Sequence, residues 1–234
     1  MLYIKISFHI NNIMTEILAK IFLFEKNEMD ILKALIEHHA KIVGYNNITI
    51  IDHNSNDGSF SLAKSYSYKG LTVIRYTGAY TNKGRMMTST MNKVKNLSTL
   101  MIPLDADEFL VTHRDNKISK KPEHVIADLK SVAKRKNIGR FKFHKIYNFI
   151  NTSTSSELKN LTHFRVADYT CSKNKHLPKV FFRSTAFNST DMGNHDGSIN
   201  SKFITNISKN ISLMHYQVRG LDHFIKKNKK SENA

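Results

Sequence analysis

"LMIPLDADEFLV", residues 100–111, carries an apolar run straight into three acids, Asp105, Asp107 and Glu108. A strand that ends in clustered carboxylates either closes in an acidic turn or delivers a binding site, and the segments before it decide which. Ile21–Phe24 is a short apolar run, the first candidate strand. "KNEMDILKALIEHHAKIVGY" then places Ile31, Leu32, Leu35, Ile36 and Ile42 at helical spacing, with Gly44 as its C-cap. "NITIID" is a β-branched run for a second buried strand, and "HNSNDGS" is a turn by composition. Ser59–Tyr68 reads as a helix closed by Gly70, "LTVIRY" as a third strand, and 84–96 as a helix before "TLMIPL", the fourth strand. Strands alternating with helices of about 10–15 residues predict βαβ units, an α/β fold with a mostly parallel sheet and helices on both faces. In such sheets ligands bind at the carboxyl ends of the strands. Here "EKNE", "DHNSNDGS" and "DADE" follow the first, second and fourth strands.

Past residue 115 the pattern weakens. Val125, Ile126, Leu129 and Val132 share one face of a helix over Glu123–Lys136. "IGRFKFHKI" alternates as one half-buried strand, 151–176 reads as a polar loop region, "KVFFRS" and "ISLMHY" read as strands, and "GLDHFIKKN" reads as a closing helix. No repeat or low-complexity linker divides the chain. The expected organisation is a leader or irregular segment over 1–16, a single domain over 17–226 with halves at 17–115 and 116–226, and a basic tail over 227–234.

Composition narrows the class. The 234 residues are 40% hydrophobic, enough for a sizeable core. No stretch approaches the roughly 18 apolar residues of a membrane span, and the N-terminus lacks a secretory pattern. Cys171 is the single cysteine, so no internal disulfide forms, multi-cysteine zinc sites are excluded, and a reducing, cytoplasmic setting is expected. Thirty-six Lys and Arg against 19 Asp and Glu give +17, a charge that attracts polyanions without choosing among nucleic acid, anionic lipid and phosphorylated substrates.

Asp105 and Asp107 stand two apart, on one face of a strand, and can bend around a hard cation such as Mn²⁺ or Mg²⁺. Without a cation such acids repel. The competing reading is an ordinary acidic turn. Asp52 can accept from a base N–H or a ribose hydroxyl, while Asp57 or Ser59 equally suits the N-cap of the next helix. Glu25 and Glu28 read as a strand-end contact and a helix N-terminal charge. His215 can complete a metal shell, and the loop of His195, flanked by Asp191 and Asp196, can carry a general base. Lys179, Arg183 and Arg219 can offset diphosphate charge.

The order K-N-E, H, G, D-x-x-S-x-D, D-x-D-E-F over about residues 18–112 resembles family-2-like glycosyltransferases of GT-A fold, and more narrowly a subgroup related to family 92. "KVFFRS", "GNH" and "LMHYQVRGLDHFIKK" resemble that subgroup's distal elements more loosely. The resemblance implies sugar transfer from a nucleotide-sugar donor, a UDP-sugar favoured, to an unknown acceptor, with Mn²⁺ or Mg²⁺. It implies that Asp105 and Asp107 hold ribose and metal-bound diphosphate, that Glu25 and Asp52 lie around the nucleoside, and that His215 is the later metal or diphosphate contact. Asp57 and Arg219 join the donor-binding set, and Asp191 and Asp196 are the candidate bases for an inverting reaction. Two departures stand out: "GRMMTSTMNK" replaces a Gln-containing helix, and the chain is short, either a minimal catalytic domain or a piece of a longer protein. The alternatives are a basic nucleic-acid-binding protein or metal-dependent nuclease, an inactive GT-A-like interaction module, and a nucleotidyltransferase, though "LFEKNEMD" lacks the glycines of a phosphate loop.

Overall fold

The computed structural model describes residues 17–151, 164–168, 179–220 and 225. The expected leader over 1–16, the basic tail, Cys171, and most of both the closing helix after Gly220 and the loop region over 151–176 lie outside them. Three strands alternate with helices as the apolar pattern requires: β1 (Ala19–Glu25), α1 (Met29–Val43), β2 (Ile48–Asp52), α2 (Ser59–Lys64), β3 (Thr72–Arg75), α3 (Lys83–Lys93) and then β4 (Leu100–Asp105). Gly44 ends α1 at φ 82°, in the left-handed region open to glycine, and its N–H donates to Ala40 O at 2.9 Å.

Alternation along β1 settles the layers. Ile21 and Leu23 point into a core built with α1, α2 and α4 (Pro122–Ala133). Phe22 and Phe24 point the other way, into a core with Met87 and Met91 of α3. Both faces of the strand are buried, and the mixed α/β architecture is the one the pattern predicts.

β1 pairs in parallel with β2 and with β4, and β2 pairs in parallel with β3. With β7 (Ile138–Lys142), β10 (Val180–Arg183) and β11 (Ile204–Ile207) they make one seven-stranded sheet, order β11-β7-β10-β4-β1-β2-β3. β10 is antiparallel to both neighbours. The sheet therefore draws strands from both sides of residue 115.

A second sheet was not legible in the sequence. It orders β6 (Lys117–Ser119), β5 (Glu108–Arg114), β12 (Ile211–Arg219), β8 (Lys145–Asn151) and β9 (Phe164–Asp168). "IGRFKFHKI" is not one strand: it breaks at Phe143–His144, sending β7 to the first sheet and β8 to the second. Phe164–Asp168 is likewise a strand inside the expected loop region. Both differences arise because pairing partners far along the chain, not local alternation, decide where a strand begins.

Ile102 is fully buried at the centre of β4. Ile102→Ala is expected to destabilise the fold by about 3 kcal/mol through lost burial and a residual cavity. A shift in denaturant midpoint at constant m-value checks it, and an unchanged midpoint would contradict the assigned core.

Candidate active site

The strand order reverses at β1. The chain moves from β1 out through β2 to β3, then returns to the other side of β1 as β4. Adjacent strand ends part at such a point and leave a crevice. A cleft of ≈ 440 Å³ opens there, walled on the β1 side by Phe24, Lys26, Glu28, Tyr80 and Lys83. Asp105, Ala106 and Asp107 form its floor, and Lys179, His195, Asn148, His215 and Gln217 close the far side.

The floor is the step from one sheet to the other. β4 ends at Asp105, two residues turn, and β5 begins at Glu108. Glu108 turns back so that its Oε2 accepts the Asp105 N–H at 2.9 Å. Lys83 Nζ lies 2.5 Å from Asp105 Oδ1, and Lys179 Nζ lies 2.7 Å from Oδ2 and 3.1 Å from Glu108 Oε1. Burial pushes the Asp105 carboxyl up, but Lys179 and Lys83 outweigh it and hold it down at about 2.

β12 supplies the histidine. Its register sets His215 opposite Glu108, and Tyr216 N–H donates to Asp107 O at 2.8 Å. His215 Nε2 then faces Asp107 Oδ2 at 3.4 Å, with Nδ1 on Asn148 Oδ1 at 2.9 Å. Burial opposes the charged imidazole, yet Asp107 raises its pKa. One carboxylate oxygen and one imidazole nitrogen at this separation suit neighbouring positions on one divalent ion. Asp105 does not suit the metal role expected for it, because both of its oxygens already face ammonium groups that would repel a further cation. Among the described residues no group of three His, Cys, Asp or Glu has the arrangement of a metal shell, so substrate or water oxygens would complete any ion held here.

The remaining expected residues stand behind the cleft. Glu25 and Asp52 are buried at the ends of β1 and β2. Ser55 Oγ donates to Glu25 Oε2 at 3.1 Å, and Arg75 pairs with Asp52 at 2.9 Å. Burial, then the hydrogen bond and charge of Asp52, push Glu25 up to about 9. Asp57 accepts from Met29 N–H at 3.1 Å and Ser59 N–H at 2.9 Å, which fastens the start of α1 to the turn before α2. Burial raises its pKa, but the bonds from Ser59 and Met29 bring it below the usual range. Arg219 is buried and pairs with Asp30 at 2.7 Å and with Glu28, tying the end of β12 to the start of α1. Burial pushes Glu28 up to about 7 against the pull of Arg219.

Asp191 and Asp196 are exposed, and it is His195 between them that reaches the cleft. Sequence reasoning missed Tyr80 and Lys83, although both follow the third strand, where a parallel sheet presents its loops to the crevice. It also missed Asn148 and Gln217, which only the second sheet brings in.

No family model matches the chain, and no curated protein matches it. Solved structures do. S. aureus TarS 1–349 aligns at 11% identity and TM-score 0.45, covering 71% of this chain and 47% of that one. The mannosyltransferase PcManGT from Pyrobaculum calidifontis, in complex with GDP-Man and Mn²⁺, aligns at 12% and 0.41, covering 58% and 36%. Glucosyl-3-phosphoglycerate synthase from Mycobacterium tuberculosis, with Mn²⁺ and UDP, aligns at 13% and 0.35, covering 57% and 44%. The chain spans 21% to 47% of the TarS chains it matches. At these scores the functional reading rests on the geometry of the site.

Two measurements test that geometry. Lys179→Met leaves buried Glu108 without its cation and half-buried Asp105 with Lys83 alone, and is expected to cost about 3 kcal/mol in denaturant unfolding; a cost below about 1 kcal/mol, the range of an exposed pair, would refute the pairing. For Glu25, the unfolded chain releases its proton near 4.5 while the folded protein keeps it to about 9. Stability should therefore fall as pH rises through that window, by up to about 1.4 kcal/mol per pH unit from this group. Glu25→Gln keeps a donor toward Asp52 and should flatten that slope between about pH 6 and pH 8. Identical slopes for the two proteins would rule out the raised Glu25 pKa.

Proposed function

We propose that the chain is a glycosyltransferase of GT-A type that moves a sugar from a nucleotide-sugar donor, a UDP-sugar favoured, to an acceptor hydroxyl with inversion. The observation that carries this reading is a polar cleft at the topological switch point between β1 and β4, floored by Asp105 and Asp107. Strands from both halves of 17–226 share the large sheet, which supports treating that span as one catalytic unit.

The charge balance of the cleft supports a divalent ion. Lys83 and Lys179 face Asp105 and Glu108, and Arg219 faces Glu28. A diphosphate entering the cleft brings negative charge that these paired cations do not offset and that Lys26 on the β1 wall meets only in part. Asp107 and His215 would hold Mn²⁺ or Mg²⁺, which stabilises the charge growing on the departing nucleoside diphosphate. Lys83, at the head of α3 and beside Tyr80, would keep Asp105 ionised and aimed at the donor. The buried Glu25–Asp52 pair would fix the two strand-end loops on the nucleoside side. Among the described residues no helix is long and apolar enough to cross a membrane.

Thermal unfolding with UDP, GDP, CMP and ADP, each with and without Mn²⁺, tests the reading on wild type and Asp107→Ala. One nucleotide at 100 times its Kd should add about 2.7 kcal/mol of stability, with Mn²⁺ and in the wild type alone. No response to any nucleotide, together with salt-sensitive binding to DNA or RNA, would replace it with a nucleic-acid function.

A further inference from the structure

The segment over 187–197 is tied down at several points. Asn194 adopts φ 56°, its carbonyl accepts from Val180 N–H at 2.9 Å, and its Nδ2 reaches Asp105 Oδ1 at 3.5 Å. Asp191 Oδ1 accepts the His195 backbone N–H at 2.8 Å. Asp196 pairs with Arg140, and its Oδ1 takes the Gly197 N–H at 2.8 Å. Thr190 N–H donates to Thr88 of α3 at 3.0 Å. Gly84 lets α3 approach closely, since a Cβ there would sit 2.9 Å from the backbone of Asp191 and Met192. Gly193 has a different use: a Cβ at that position would collide with the His195 ring. The two acids hold the backbone on either side of His195 and the two glycines leave room for the segment and the ring, so the imidazole lines the cleft while the acids do not.

The side of the cleft matters. In the strand order β10-β4-β1, the floor at Asp105 lies between the His195 loop, which is bonded to the start of β10, and the β1 wall. On the reading above, the nucleoside lies toward β1 and the diphosphate meets the ion at Asp107 and His215, at the step into the second sheet, whereas the His195 loop sits beside β10. Inversion requires the acceptor oxygen to approach from the opposite face with a base beside it. Of the other lining residues able to accept a proton, Glu28 stands on the β1 side and is held by Arg219, Asp105 is held by Lys83 and Lys179, and Asp107 and His215 face each other.

We propose that His195 is the catalytic base of the transfer, with Asp191, Asp196 and Gly193 as its positioning residues. This rests on the glycosyltransferase reading. The imidazole takes the proton of the acceptor hydroxyl as that oxygen bonds to the anomeric carbon. The bond from that carbon to the diphosphate oxygen breaks, the diphosphate keeps the electron pair, and the proton passes from His195 to solvent.

Water can serve as the acceptor, so no natural acceptor is needed. Nucleoside diphosphate release from UDP-glucose, UDP-N-acetylglucosamine and GDP-mannose is measured with Mn²⁺, beside the thermal shift given by the matching diphosphate. His195→Gln and His195→Gly should lose about 100-fold or more in release, the scale of general base catalysis, while the thermal shift stays as in the wild type. Added imidazole should restore release to His195→Gly, which a purely structural role would not allow. Gly193→Ala, which displaces the ring without removing it, should lose release with the same unchanged thermal shift. Release within about threefold of wild type in His195→Gln, or a His195→Gly loss that imidazole does not repair, overturns the assignment and leaves the transferase reading standing. A wild type that neither binds the diphosphates nor cleaves the donors overturns both.

Discussion

Five carboxylates are crowded at one end of the parallel strands: Glu25, Asp52, Asp105, Asp107 and Glu108, all but Asp105 at most 7% exposed. Placed together without compensation they would repel one another and keep the strand ends from closing. Each is answered differently. Burial and Asp52 raise the pKa of Glu25 toward its neutral form, Asp52 faces Arg75, Asp105 faces two lysines, Glu108 shares one of them, and Asp107 faces His215. These partners come from β3, α3, β12 and the residue before β10, so balancing the charge also fastens the periphery to the centre. The acids of the cleft and the tertiary contacts around them are one system.

That system gives the cleft two unlike sides. Toward β1 the loops after the first two strands are cross-bonded: Asn27 N–H to Ser55 Oγ at 2.9 Å, Asn56 N–H to Asn27 Oδ1 at 2.8 Å, Glu28 N–H to Ser59 Oγ at 3.0 Å. The turn-forming Asn, Asp and Ser residues read from "HNSNDGS" form this zip, and a firm edge suits a ligand bound in one orientation. On the far side, the second sheet and the 187–197 segment present His215, Asn148 and His195 to the same space. The chain crosses between the sheets at Ala106–Asp107, so the acids sit where both sides can reach them.

Much of the first sheet was legible because its signals are local. Apolar runs of four to seven residues, the helical spacing from Ile31 to Ile42 and the punctuation of Gly44, Gly58 and Gly70 each act within a few neighbours. The second sheet was not legible, since β5, β8 and β12 come from distant segments and β8 runs on from β7 after a two-residue break. The Asp107–His215 pairing was nameable from residue chemistry, but the engagement of Asp105 by Lys83 and Lys179 was not. Neither lysine lies near residue 105 in the chain; the sequence marks Lys179 only as a diphosphate contact, and among 36 basic residues nothing marks Lys83.

The sequence by itself determined the strands buried on both faces, the order of the first βαβ units and the acids at their carboxyl ends, because burial and turn chemistry act over short stretches. Tertiary structure alone decided which acid faces lysine and which faces histidine, and which residue of "DMGNHDG" reaches the cleft. The physical reason is that charge pairing and orientation depend on distances of a few ångströms between groups far apart in sequence. Here the register of β12 against β5 and the close approach of the 187–197 segment to α3 set those distances.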